Sequence, residues 1–285
     1  MARRWYVPLM ALPVAVGTVV AVLEGVASAS PGLTHAAPRT AAVQRVFPGI
    51  PNIGPSGGAA PFLANDTIHP QATSGNWAGY AVVSKRPGAF RSVSAGWTQP
   101  RANCTGVRGA RFASFWVGLD GVTNGFVEQL GTEADCSGGT PAYSAWWETF
   151  PNPSMNFPHR VAPGDHMFAS VTFRGAGIFA LFIRDSTRQW SRTIITSVAN
   201  APRTSAEVIA EAPALEIGGR FVIQNLADFG TVRWTGSRVN GTLLKRYSSA
   251  LQITMLEVNR PHRVRATTSV ISPLDAFTNT WVRAS

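Results

Sequence analysis

Gln129 lies in Phe126-Val127-Glu128-Gln129-Leu130-Gly131, an amide among apolar and small neighbours. A buried amide without partners costs about 1–3 kcal/mol. Gln129 therefore sits at an exposed sheet edge or meets a ligand or reacting group. The carboxylates raise the same question, because Asp and Glu number only 15 in 285 residues. Glu148 lies in Tyr143–Phe150, YSAWWETF, where strand alternation puts Trp146 and Glu148 on one face and Trp147 on the other. Glu207 and Glu211 lie in Ser205–Glu211, SAEVIAE, and share a face with Ser205 and Ile209, leaving Ala206, Val208 and Ala210 for a core face. Carboxylates so placed can move protons. Glu148 with Glu207 could also form a glycosidase pair, whose retaining form needs carboxyls about 5–5.5 Å apart. Each is equally readable as a rim or solvent-facing residue.

The usual catalytic constellations are missing from the sequence. It has no nucleophile elbow, no Gly-rich phosphate loop and no His pair at helical metal spacing. His159 and His166 lie around a Pro-Gly turn in no common metal pattern. No metal and no cofactor is called for.

The elements that must position these groups are strands. Trp116–Gly131, WVGLDGVTNGFVEQLG, reads as a β-hairpin with two apolar-alternating arms around the turn Asp120–Gly125. Asp120 ends the first arm on the face of Trp116, and Gln129 shares a face with Val127 and Gly131. A dozen such runs follow one another from Asn76–Ser84 to Arg263–Ser269, with no strand-helix-strand rhythm. They include Ser92–Thr98, Phe126–Leu130, His166–Phe173, Ile178–Asp185 and Arg220–Leu226. In His166–Phe173, Met167, Ala169, Val171 and Phe173 share one face. Hydrophobic content of 45% supplies a core, and 27 Gly with 20 Pro supply turns. The class is all-β, an antiparallel sandwich or barrel.

The net charge of +10 comes from scattered Arg with only Lys85 and Lys245 beside it. No basic stripe forms, so the expectation is a protein kept soluble by dispersed charge, with no nucleic-acid partner. Residues 1–29 read as a secretory signal: Arg3 and Arg4, an uncharged run from Trp5 to Leu23, then Ala27-Ser28-Ala29. The run exceeds the usual apolar region of about 7–15 residues, so a retained anchor is the alternative. Residues 30–72 are Ala-, Pro- and Gly-rich without periodicity, a linker or pro-segment. The β domain covers 73–285. Cys104 and Cys136 flank the hairpin, and export makes their pairing the expectation. After signal cleavage the product is expected to be a monomer without stable membrane association.

Together the motifs SGNWAGY (Ser74–Tyr80), WVGLDG…EQLGT, YSAWWETFP (Tyr143–Pro151), VAPGD (Val161–Asp165) and SAEVIAE have an order and spacing that resembles the glutamic peptidases, the G1 or eqolisin family. The resemblance runs from about Ser74 to Ala212, and would make this a secreted member of the bacterial type. It implies an antiparallel, lectin-like β-sandwich of two large sheets whose concave face is the cleft, and protein or peptide substrates. It identifies Gln129, in Gln-Leu-Gly, and Glu207, in Ala-Glu-Val-Ile, as the catalytic residues. Trp116, Asp120, Trp146 and Glu148 fall on positions that line or support the cleft. It also implies insensitivity to pepsin-type inhibitors. The chain departs from the family at Val208, where many members have Trp, and at Ser144, where many have an acid. The implied chemistry suits the residues. A carboxylate takes a proton from water and returns it to the leaving amine, while an amide N–H steadies the oxyanion. The rivals are a glycoside hydrolase or carbohydrate-binding module on a lectin-like sandwich, and an inactive binding protein on the peptidase fold.

Overall fold

Alternating apolar residues need a partner surface, and here two sheets supply it to each other. The computed structural model describes Val46–Phe47, Ile50–Pro51, Phe62–Leu63 and residues 69–285. The expected signal or anchor at 1–29, and most of 30–72, lie outside the described residues. The main strands are β1 (Trp77–Val83), β2 (Ser92–Thr98), β3 (Ser114–Leu119), β4 (Val127–Ser137), β5 (Thr140–Phe150), β6 (His166–Gly175) and β7 (Ile178–Asp185). They continue as β8 (Trp190–Ser197), β9 (Ser205–Glu211), β10 (Thr231–Val239), β11 (Leu251–Glu257), β12 (Arg260–Thr268) and β13 (Ala276–Trp281).

The first sheet has the order β5-β4-β3-β9-β1-β11, and the second β13-β10-β2-β6-β7-β8. Strand β12 pairs with β11 on one side and β13 on the other, so it joins the sheets along one edge. All these pairings are antiparallel. Gln71–Ser74 adds a short parallel pairing to β11. The expected antiparallel β-sandwich is the fold.

Between the sheets lies the main core. From β9 it takes Ala206, Val208 and Ala210, and from β3 Phe115, Val117 and Leu119. Met167, Ala169 and Val171 of β6 and Phe179, Leu181 and Ile183 of β7 come from the second sheet. The indoles in this core find acceptors, as buried N–H groups must. Trp97 Nε1 donates to Thr132 Oγ1 at 3.1 Å and Trp234 Nε1 to Asn279 Oδ1 at 2.7 Å.

Two central strands, β10 and β13, were not among the expected runs. In β10 the alternation Val232, Trp234 breaks at Gly236, which has φ 60°, and the register with β2 shifts between Thr235 and Arg238. A bulge moves the following residues to the other phase, so Ser237 and Val239 are buried after it. Strand β4 also runs past the expected end at Leu130 to Ser137, paired without a break with β5, and Glu133 within it accepts from Ser144 Oγ at 3.0 Å. The Cys104–Cys136 disulfide is formed, with Cα atoms 5.4 Å apart, and ties the end of β4 to the loop before β3. Its sequence separation of 32 corresponds, on the chain-entropy model, to about 3–4 kcal/mol of stabilisation.

Candidate active site

The face of the first sheet turned away from the main core is unusual in being both buried and acidic. Its residues are ordered by the two-residue period of the strands and by register across them. One row runs Ala81, Glu207, Gly118, Gln129, Glu148 across β1, β9, β3, β4 and β5. The next row contains Gly79, Ile209, Trp116, Gly131 and Trp146. The third holds Trp77, Glu211, Ser114, Glu133 and Ser144. Two polar rows thus flank an apolar one, and Glu207, Gln129, Glu148 and Glu211 are all fully buried.

Glu207 and Gln129 project from strands separated only by β3, at the one position of that strand without a side chain. A Cβ on Gly118 would stand 2.9 Å from the Trp116 ring and 3.2 Å from Gln129 Cβ. Gly118 therefore makes room for the Trp116 ring, which packs over it. A second glycine, Gly131, lets β3 and β4 approach closely, since a Cβ there would be 2.1 Å from the Phe115 carbonyl oxygen and 2.6 Å from Trp116 Cβ.

Gln129 Nε2 donates to Glu148 Oε2 at 2.7 Å. An amide nitrogen carries two hydrogens, so the bond to Glu148 fixes the direction of the other. Glu148 and Glu207 are not neighbours, because Gln129 and Gly118 stand between them in the row. That arrangement is a Glu and an amide facing one position, not a close carboxylate pair. Trp116 and Trp146 lie in the apolar row, with Trp116 Nε1 donating to Glu211 Oε2 at 2.7 Å. Trp147 packs toward the main core, on the face opposite Trp146 as alternation requires.

Asp120 is placed differently from its strand neighbours. It has φ 73° and turns out of β3. Its carboxylate accepts from the backbone N–H of Arg203 at 2.7 Å, of Thr204 at 2.8 Å, and from Asn124 Nδ2 at 2.9 Å. It fastens the hairpin turn to the start of β9 and so sets where Glu207 begins. Val208 faces the main core, so this departure from the family pattern alters packing under the sheet and not the acidic face. Ser144 is on the acidic face, bonded to Glu133.

Glu211, Asn76 and Trp77 belong to the site but were not singled out for it. Glu211 Oε1 accepts from Asn76 Nδ2 at 3.2 Å while its other oxygen takes the Trp116 indole. The signal was present, since Glu211 shares the strand face of Glu207. Its partners could not be read, because they come from β3, from the residue before β1 and from Ile50.

Burial sets the electrostatics. It pushes the carboxyls of Glu207, Glu148, Glu211 and Glu128 well above the ordinary range. For Glu207, nearby Asp120 and Glu128 add to the effect, and the Ser205 hydroxyl on the same face opposes it. For Glu148 the Gln129 bond opposes it, and for Glu211 the Trp116 and Asn76 bonds do. Glu133 is pushed up to about 7 by burial, against its bond from Ser144.

The fold and the family to which the chain belongs define a glutamic peptidase, a hydrolase. A model of the Peptidase A4 family matches residues 75–281, and the chain belongs to that family. Among solved structures it is similar to scytalido-glutamic peptidase with a transition state analog inhibitor, at 25% identity and TM-score 0.60. That match covers 73% of this chain and 98% of the other. It is also similar to SCP-B, an Eqolisin-family member in complex with the tripeptide Ala-Ile-His. There the identity is 23% and the TM-score 0.56, with the same 73% and 98% covered, a likeness of fold. No curated protein sequence matches the chain.

The raised carboxyls make stability depend on pH with a definite sign. An unfolded Glu titrates near 4.3, whereas these groups keep their protons to higher pH in the fold. Between about pH 4.3 and 7 the folded state binds more protons than the unfolded, so stability falls as pH rises. The calorimetric Tm is therefore expected to be higher at pH 4.5 than at pH 8, and Glu133→Gln is expected to flatten the upper part of the decline. A Tm that climbs steadily from pH 4.5 to 8 would contradict the assignment of these acids.

Proposed function

We propose that the chain is an exported endopeptidase active in acid, in which Glu207 and Gln129 together direct water onto a peptide carbonyl. The observation that carries this reading is their position on either side of Gly118, with the Gln129 amide oriented by Glu148. As a carboxylate, Glu207 takes a proton from water while the water oxygen bonds to the carbonyl carbon. The carbonyl oxygen becomes an oxyanion and receives the second N–H of Gln129. Glu207 then gives its proton to the amine nitrogen, the C–N bond breaks, and acid and amine leave. No metal or cofactor enters this scheme. Glu148 acts through Gln129, and Trp116 and Trp146 supply apolar wall.

Because the chemistry needs ionised Glu207, and burial raises its carboxyl, activity should climb with pH above the range where an isolated carboxylate titrates. That suits a mildly acidic working pH, which is also the range in which the fold keeps its extra stability. Gln129→Ala is expected to lower kcat about 10²–10³-fold, the usual loss for one oxyanion donor. Glu207→Gln is expected to abolish hydrolysis of acid-denatured protein while the variant still melts cooperatively. A folded Glu207→Gln variant that digests such protein at the wild-type rate would sink the dyad.

Export is supported by the composition of residues 1–29 and by a disulfide that suits an oxidising compartment. With it goes a removable pro-segment at 30–72 and a monomeric mature enzyme acting on polypeptides. N-terminal sequencing of protein recovered from the medium should find a start beyond residue 72. A start near Ser30 would contradict removal.

A further inference from the structure

The acidic face of the first sheet lies outside the main core, yet its apolar residues are buried. Trp77, Ala81, Trp116, Trp146, Phe150 and Ile209 form a second cluster on that face, and Ile50 belongs to it, 1% exposed. Ile50 is remote in sequence from the rest, and its backbone is held as closely as its side chain. Its N–H donates to Glu211 Oε1 at 3.2 Å. Its C=O accepts from Trp77 Nε1 at 3.0 Å and lies 3.5 Å from Asn76 Nδ2. Asn76 Nδ2 also donates to the next carbonyl, that of Pro51, at 3.2 Å. Just upstream, Val46 and Phe47 pair antiparallel with Leu215 and Ala214, on the strand that follows β9.

A donor-acceptor pair aimed at one residue's C=O and N–H is how a cleft reads an extended peptide backbone. The three side chains that do so project from β1, from the residue before it, and from β9, the strand carrying Glu207. Glu211 lies on the same face of that strand, one turn of the alternation beyond Ile209.

We propose that Ile50 occupies, within its own chain, a subsite built for a substrate residue, so that Glu211, Asn76 and Trp77 clamp the backbone and the tryptophan-lined cluster takes a branched aliphatic side chain. This rests on the proteolytic reading of the site. It makes the substrate a polypeptide presenting Ile, Val or Leu in extended form at that position. It also makes the full chain self-occupied, because incoming substrate must displace residues held by backbone and side chain together. Prolines are well suited here, since Pro51 restricts the residue before it to extended backbone.

The test uses the full chain with Ile50→Asp, and Ile50→Ser as the milder change, each checked for a cooperative melt. A peptide spanning residues 44–53 is titrated into both, followed by tryptophan fluorescence, and hydrolysis of acid-denatured protein is measured alongside. Emptying the subsite should raise hydrolysis about tenfold or more over the unchanged chain, as for any competitor held in cis. The added peptide should bind the variants, inhibit competitively, and bind at least about tenfold more weakly when Glu211→Ala is also present. Peptide binding without hydrolysis by any chain would uphold the subsite and overturn the proteolytic reading instead. Folded variants that neither bind the peptide nor gain activity would overturn the proposal, leaving Ile50 a structural strap.

Discussion

Glu207 is fully buried, and a buried carboxyl must be paired, hydrogen-bonded or neutral. No described cation is paired with it, and the Ser205 hydroxyl near it only partly offsets its burial. Its protonated form is therefore favoured, and the surroundings follow from that. Gly118 gives the position beside it to the Trp116 ring, Gln129 is bonded to Glu148, and the Asp120 side chain accepts from the backbone N–H groups of residues 203 and 204. The same constraint governs Glu211, which meets burial with donors from Trp116, Asn76 and Ile50. One face of one sheet thus stores acids in two rows, each row spaced by the strand period and pushed by burial toward the neutral form.

That storage bears on the charge of the molecule. Asp120, Glu128, Glu133, Glu148, Asp165, Asp185, Glu207 and Glu211 are all buried. The 25 Lys and Arg against 15 acids give the net +10 with every carboxyl ionised, and eight of those acids are inside. Burial pushes Glu128, Glu133, Glu148, Glu207 and Glu211 toward the protonated form, so low pH costs the fold little at these positions.

Much of the site was legible because β-structure writes its faces into sequence. The sharing of one face by Glu207, Ile209 and Glu211, and by Trp146 and Glu148, needs nothing beyond alternation. Gln129 was conspicuous for the same reason, being polar in an apolar phase. Register across strands was not legible: nothing local states that Gln129 stands opposite Glu148 or that Gly118 separates it from Glu207. Asp120 was misplaced on the Trp116 face, since its positive φ breaks the period at the last residue of the arm. Strand β10 was hidden by the phase shift at Gly236. The holding of Ile50 by Glu211 joins residues 161 apart in sequence, and composition had described its neighbourhood only as Pro- and Gly-rich.

The central claim is that burial displaces the ionisation of Glu207 upward, so that it becomes the carboxylate base only above the ordinary range. It is tested most directly by following its side-chain carboxyl with isotope-edited infrared or carbon NMR from pH 3 to 8, with Glu207→Gln supplying the assignment by difference. The account predicts a titration displaced well above 4.3, the value for an unperturbed Glu. A Glu207 carboxyl that ionises at or below that value would contradict it.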